Sequence, residues 1–115
     1  MDSKLLKIHT TSKDKRHIRD VLRENEHALS MEIVFKICEA IDNELDSVDI
    51  AEIITPVEII TIHSSGPNYL TTLETNLDNL VKYEEYELCA VAKKHIDYLI
   101  DRQDLKFLED KYDEN

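Results

Sequence analysis

The side chains of this chain best suited to catalysis or metal binding are five histidines and two cysteines. No histidine stands at a recognised ligand spacing from a Cys, an Asp or another His. His63-Ser64-Ser65 places an imidazole next to two hydroxyls along the chain, but nucleophilic catalysis requires that arrangement in space. A single Gly leaves no loop that could hold a phosphate. The sequence therefore predicts no enzyme, no metal and no cofactor. The histidines are His9, His17, His27, His63 and His95.

The two cysteines, Cys38 and Cys89, are 51 residues apart, and each lies within an apolar helical pattern. This placement predicts two buried, unpaired thiols in a reducing compartment. A disulfide or a shared metal is the alternative. Met1-Asp2-Ser3-Lys4 leads into no apolar leader, and the most apolar stretch, 48–62, is interrupted by acids and a proline. We therefore expect a cytoplasmic protein.

The net charge of −11 is spread unevenly. Residues 1–27 carry seven basic and five acidic side chains, which gives +2, whereas residues 28–115 carry seven basic and twenty acidic, which gives −13. Such a surface repels nucleic acid, attracts basic partners and keeps the chain in solution. Nucleic acid is therefore an improbable partner for most of the molecule.

Composition favours helices, because one Gly and two Pro in 115 residues leave little material for loops. We predict a single, mainly α domain spanning 1–115, in which a helical N-terminal part (1–63) precedes a helical hairpin (68–108). An acidic, frayed tail follows at 109–115. Two short strands, at 4–9 and 57–63, are the alternative to an all-α chain.

Two helices are predicted before the first proline. Thr10-Thr11-Ser12 supplies caps for a basic helix over 13–26 whose thin apolar stripe implies that it is largely exposed. Ser30 caps a second helix over 31–45, which the spacing of its apolar residues places in the core. The polar face of this helix is predicted from Glu32, Lys36, Glu39 and Asp42. Its apolar positions are Met31, Ile33, Val34, Phe35, Ile37, Cys38, Ile41 and Leu45.

The segment around Pro56 is predicted in two parts. Residues 46–54 read as a short helix or irregular chain, and Pro56 then forces a break. Val57 to Ile62 is rich in β-branched residues and favours a strand. A lone strand leaves its backbone unpaired, so its partner is either 4–9 or the same strand of a second copy.

The hairpin is predicted from two apolar stripes separated by the polar residues 82–85. Leucines at 70, 73, 77 and 80 repeat like heptad positions, and Thr71 to Glu74 fits a capping box, with Asn68 as an earlier cap. The second stripe comprises Tyr86, Cys89, Ala90, Ile96, Leu99 and Ile100. So short a connection permits only an antiparallel neighbour.

Part of this hairpin resembles the UVR motif, a helical hairpin of bacterial excision-repair nuclease subunits and of the activator of protein arginine kinase. The resemblance covers about thirty residues: Leu73-x3-Leu77, Glu85-Tyr86-Glu87-x-Cys89-Ala90 and Ile96-x2-Leu99. Where that motif has Arg-Asp, this chain has Lys93-Lys94. The resemblance implies protein–protein contact without catalysis. It gives Leu77, Tyr86, Glu87, Lys93 and Lys94 as candidate partner-binding residues.

A weaker similarity links residues 29–46 to the last helices of Cro/repressor-type DNA-binding domains. Those domains need a recognition helix and a tight turn just upstream. The basic helix over 13–26 has no Gly-containing turn, and four acidic residues alternate with its basic ones. Docking on the protein's own acidic body or on an acidic partner, including a second copy, is the more favourable use of this helix.

These observations predict a small acidic regulatory or adaptor protein that binds another protein through the hairpin and its acidic surface. One alternative is a viral or mobile-element inhibitor whose carboxylates mimic nucleic-acid charge and block a host enzyme. Another is a DNA-binding transcriptional regulator that uses the basic N-terminal helix. A homodimer is expected, since the isolated strand and the heptad-like leucines both require partners.

Overall fold

The computed structural model describes residues 5–11 and 17–113, and for 104 and 106–113 it describes the backbone only. These residues form a mostly helical chain with a small sheet. The strands are β1 (Leu6–His9), β2 (Ser47–Ile54) and β3 (Ile59–Ser65). The helices are α1 (Ile18–Glu24), α2 (Glu26–Asp42), α3 (Tyr69–Lys82) and α4 (Tyr86–Asp113), and a 3-10 turn (Gly66–Asn68) precedes α3.

The sheet corrects the prediction for residues 46–54, because 47–54 form its central strand rather than a short helix or irregular chain. β1 pairs with β2 in parallel and β2 pairs with β3 antiparallel, in the order β1-β2-β3. Both predicted strands exist, but each pairs with β2, so the predicted pairing of 57–63 with 4–9 is wrong. The bulge between Asp49 and Ala51 interrupts the two-residue alternation of β2, so its acidic and apolar residues do not follow the simple pattern of a half-buried strand.

One face of the sheet packs on α2. Leu6, Ala51 and Ile62 align across the three strands, as do Ile8, Ile53 and Ile60. Ala51 and Ile53 of the central strand are 0% and 1% exposed, and Ala51 belongs to the same core cluster as the buried residues of α2. A bulge between Asp49 and Ala51 also buries Ile50. Ile60 and Ile62, two of the β-branched residues that predicted a strand at 57–62, thus lie on this inner face.

Helix α2 starts five residues earlier than predicted, so Ser30 is not its cap. Ser30 lies within the helix, 2% exposed, and its hydroxyl accepts a hydrogen bond from Asn79 Nδ2 at 3.1 Å. Lys36 was predicted on the exposed face but is 3% exposed. Phe35 was predicted in the core but is half exposed. The helix is therefore rotated relative to its predicted orientation, because it contacts β2, α3 and α4.

Helices α2 and α3 end in the same backbone motif, each with a glutamate in the left-handed conformation. Glu44 has φ 55° and Glu84 has φ 60°. At the end of α3 the amides of Glu84 and Glu85 donate to the carbonyls of Val81 and Leu80. At the end of α2 the amides of Glu44 and Leu45 donate to Ile41 and Ala40. These are Schellman motifs, which glycine usually terminates.

The core is a single cluster formed by α2, α3, α4 and β2. Val34, Ile37, Leu73, Leu80 and Ala92 are fully buried in it. Both cysteines belong to it as free thiols, Cys38 at 4% and Cys89 at 7% exposure, as predicted. No residue of α1 is buried, in agreement with its thin apolar stripe. The first part of the predicted basic helix, 13–16, lies outside the described residues, as does its cap candidate Ser12.

Helices α3 and α4 flank residues 83–85 and pack against each other. Asn68 occupies the position before α3, as the earlier-cap alternative predicted, without a side-chain capping bond; the capping-box placement at Thr71 is wrong. Tyr69 is buried, and its hydroxyl donates to the Leu45 carbonyl at 2.9 Å. Helix α4 continues to Asp113, beyond the end predicted at 108.

Candidate protein contact surface

The five predicted contact residues do not share one surface. Leu77 is half-buried and packs against the core, so it supports the fold rather than facing a partner. The other four are exposed on α4. Tyr86 and Lys93 lie seven residues apart on one side of the helix, while Glu87 and Lys94 lie about 100° around it. The structure therefore separates the predicted set into two surfaces.

Glu87 belongs to an apolar groove between α2 and α4, called here the α2/α4 groove. Its floor comprises Met31 and Phe35 from α2 and Leu88 and Val91 from α4. The groove has a volume of about 390 Å³, and Phe35 and Val91 are 50% and 42% exposed. Three carboxylates line the same pocket, those of Glu32, Glu85 and Glu87. This is a hydrophobic surface with an acidic rim.

A second pocket lies further along the same two helices. It has a volume of about 360 Å³, and Ile41, Asp42, Lys94, His95 and Tyr98 are among the residues that line it. Leu88, Val91, His95 and Tyr98 follow one another at intervals of three and four residues, so they form one stripe of α4. Phe35 and Asp42, seven residues apart, extend the facing stripe of α2. The candidate site Lys94 is thus at the opposite end from Glu87.

His95 joins the two helices within the groove. Its Nε2 lies 2.9 Å from Asp42 Oδ1, and its Nδ1 lies 2.8 Å from the Val91 carbonyl oxygen. The imidazole is 13% exposed, whereas the Asp42 carboxylate is 67% exposed. The bridge therefore joins α2 to α4 beside the second pocket.

A polar cluster connects the start of α2 to the connection between α3 and α4. Glu26 Oε1 accepts hydrogen bonds from Lys82 Nζ at 2.7 Å and from the Tyr83 hydroxyl at 2.8 Å. The His27 ring stacks on Tyr83 with centroids 4.3 Å apart, and its Nε2 lies 2.8 Å from Glu85 Oε1. The hydrogen bonds from Lys82 and Tyr83 lower the pKa of Glu26. The cluster positions Glu85 at the end of the groove.

Residues 5–11 and 17–113 contain no group of three or more His, Cys, Asp or Glu side chains arranged to hold a metal ion. Burial raises the pKa of the Cys38 thiol to about 12, so it is no nucleophile near neutral pH.

Among residues 5–11 and 17–113, no helix combines the length and apolarity needed to cross a membrane.

Sequence reasoning missed the α2 side of the groove. Met31 and Phe35 were assigned to the core because they follow the helical period of Val34 and Cys38. The width of the apolar stripe could have shown that Met31 and Phe35 need not both be in the core. Ile33 and Ile37 make this stripe wider than one buried face needs. An α2 that is apolar over more than half its circumference has apolar side chains left for a second contact.

Comparisons with protein-family models, with curated proteins and with solved structures find no match to this chain. The similarity of residues 73–99 to the UVR motif therefore rests on the residue pattern alone.

Proposed function

We propose that this chain is a small acidic regulatory or adaptor protein that binds another protein. Helices α3 and α4 form the C-terminal hairpin of this proposal, and the contact surface is the outward side of α4 with the acidic surface around it. The partner is a protein, and the chain contributes no catalysis of its own.

The observation that carries this proposal is the apolar stripe exposed along α4. Val91, Tyr98 and Leu105 recur every seven residues and are 42%, 45% and 59% exposed. Exposed apolar side chains aligned on one helix are a feature of protein–protein interfaces, whereas isolated ones are ordinary. Aromatic side chains such as Tyr98 are also enriched in such interfaces.

Two adjacent substitutions test the proposal. Val91→Glu places a carboxylate in the stripe, while Ala90→Glu places one on a neighbouring, exposed position of the same helix that faces away from it. Affinity capture from the native host with the full chain should recover a partner with wild type and Ala90→Glu and lose it with Val91→Glu. Circular dichroism checks that both variants remain folded. Equal recovery by Val91→Glu would contradict the role of this surface.

The alternative functions give different results in simple assays. An inhibitor that mimics nucleic-acid charge would bind its enzyme with a strong salt dependence, because it replaces a polyanion. A DNA-binding regulator would shift mixed genomic fragments at low salt. A homodimer through the same stripe would appear in light scattering and would be lost in Val91→Glu.

A further inference from the structure

We infer that the α2/α4 groove binds one amphipathic, basic helix of a partner protein. This inference rests on the proposed function, because it names the chemistry of the partner that the contact surface would take. It is argued from the shape of the groove, from its length and from the charge of its rim.

The shape of the groove matches a helix. Met31 and Phe35 are four residues apart on α2, and Leu88 and Val91 are three apart on α4, so each wall presents one apolar ridge. Two side-by-side helices leave a furrow into which the apolar side chains of a third helix fit, as in other helix-in-groove complexes. An extended strand would need unpaired backbone groups to bond with, and a helical wall has none.

The length of the groove defines how much helix it can bind. Its α2 wall runs from Met31 to Asp42 and its α4 wall from Leu88 to Tyr98. Either distance corresponds to about 16 Å, or three helical turns, at 1.5 Å per residue. A helix lying along it would therefore use apolar side chains at three or four consecutive turns. The His95–Asp42 hydrogen bond lies near the Asp42 end of this path.

Charge decides between the occupants of the groove. Glu32, Glu85 and Glu87 line the end formed by the start of α4, and Lys94 lines the other end beside Asp42 and Glu44. Carboxylates beside an apolar surface favour a partner with lysine or arginine next to its apolar stripe. Residues 28–115, which include both walls of the groove, carry a net charge of −13, so the same face of a second copy would be repelled. The basic helix is the occupant that satisfies both the apolar floor and the rim.

Synthetic peptides test the inference on the full-length protein. The probe is an amidated peptide of about 18 residues with leucines at helical spacing and lysines on the flanks of that stripe. One control scrambles the same residues to remove the amphipathic pattern, and another replaces every lysine by glutamate. Fluorescence anisotropy should give affinities at least about tenfold weaker for both controls. Equal binding of the scrambled peptide would overturn the inference, because charge alone would then explain the affinity.

Matched variants locate the binding site. Val91→Lys should weaken the amphipathic peptide by about tenfold or more, and Ala90→Lys, with the same change of charge, by less than about twofold. Glu87→Lys should weaken it at low salt and much less at about 0.5 M salt, whereas Glu74→Lys on α3 should change little. Equal effects within either pair would overturn the inference, as would no binding of the probe at about 100 μM protein.

The outcomes separate this inference from the proposed function. A captured partner that depends on Val91, together with no binding of the basic peptide, would remove the basic-helix inference and leave the contact function standing. Binding of the basic peptide without any Val91-dependent partner in the host would support the basic-helix inference and remove the proposed contact function. A dimer that Val91→Lys dissociates would assign the groove to a second copy and overturn the inference.

Discussion

Two buried serines show how the surroundings of a single hydroxyl decide its effect on stability. Ser30 Oγ accepts a hydrogen bond from Asn79, whereas Ser64 Oγ is buried and has no hydrogen-bond partner among the described residues. A buried hydroxyl without a partner loses its bonds to water and gains nothing in return. The same residue type should therefore act in opposite directions at these two positions.

We predict that Ser64→Ala raises the free energy of unfolding by about 0.5–1 kcal/mol, because it removes an unsatisfied buried group. Ser30→Ala should lower the free energy of unfolding by about 1 kcal/mol, because it breaks a bond that joins α2 to α3. Urea unfolding followed by circular dichroism measures both. A loss at Ser64 as large as that at Ser30 would contradict the prediction.

Cysteine reactivity is a second property set at single residues. Burial raises the pKa of Cys38 to about 12, with the Asp42 carboxylate as a smaller cause, and Cys89 is buried as well. Because the thiolate is the reactive form of Cys38 and burial keeps the reagent from Cys89, we predict that neither thiol reacts appreciably with iodoacetamide at pH 8 in the folded protein. Mass spectrometry should show two modifications per chain once urea unfolds it. Rapid labelling without denaturant would contradict this prediction.

At the scale of elements, the helix ends lack glycine. Schellman motifs place one residue in the left-handed region, where a Cβ atom costs about 1 kcal/mol. Glu44 and Glu84 occupy those positions here. The scarcity of Gly predicted few loops correctly, but it gave no indication that glutamates would end two of the helices.

We predict that Glu84→Gly raises the free energy of unfolding by about 0.5–1 kcal/mol, since glycine adopts φ 60° without steric cost. Glu74→Gly is the matched control, because Glu74 is an exposed residue within α3. It should lower stability by about 1 kcal/mol, the usual cost of glycine inside a helix. Chemical unfolding curves measure both variants. A Glu84→Gly variant no more stable than the wild type would contradict the role assigned to Glu84.

Two strands of the sheet differ in how well their own residues predict them. β3 is predicted within two or three residues, because β-branched residues between two proline-containing segments leave few other conformations. β2 was missed because Asp49 and Glu52 interrupt its apolar residues, and a strand with one exposed face looks like an irregular segment until its partners are known. Its assignment depended on β1 and β3, which pair on either side of it.

For the whole molecule, the cluster around Glu26 joins residues more than fifty positions apart. Lys82 Nζ lies 2.7 Å from Glu26 Oε1, and this contact lowers the pKa of Glu26 and raises that of Lys82. A lowered carboxyl pKa contributes stability above the ordinary value of 4.5, and this contribution disappears as the pH falls through the folded-state pKa. A raised lysine pKa contributes below 10.5 and is lost above the folded-state value.

We therefore predict that Glu26→Gln is less stable than wild type between these two limits and that the difference shrinks as the solution is acidified. Thermal unfolding at several pH values measures the difference. Glu24→Gln serves as the control, because Glu24 is an exposed carboxylate near the end of α1. It should show a smaller pH-dependent difference. A Glu26→Gln difference that is constant down to pH 2 would contradict the assignment.

The sequence alone determined the local features of this protein: its helical content, the strand rich in β-branched residues near 57–63, the buried unpaired cysteines and the acidic surface. Each follows from residue type and short-range period, which act within a few positions of the chain. The tertiary structure alone decided that 47–54 is the central strand, that Lys36 is buried and that Phe35 is exposed. It also placed Glu87 and Lys94 at opposite ends of the α2/α4 groove. These depend on which elements meet, and an apolar stripe wider than one interface does not by itself say which side will remain exposed.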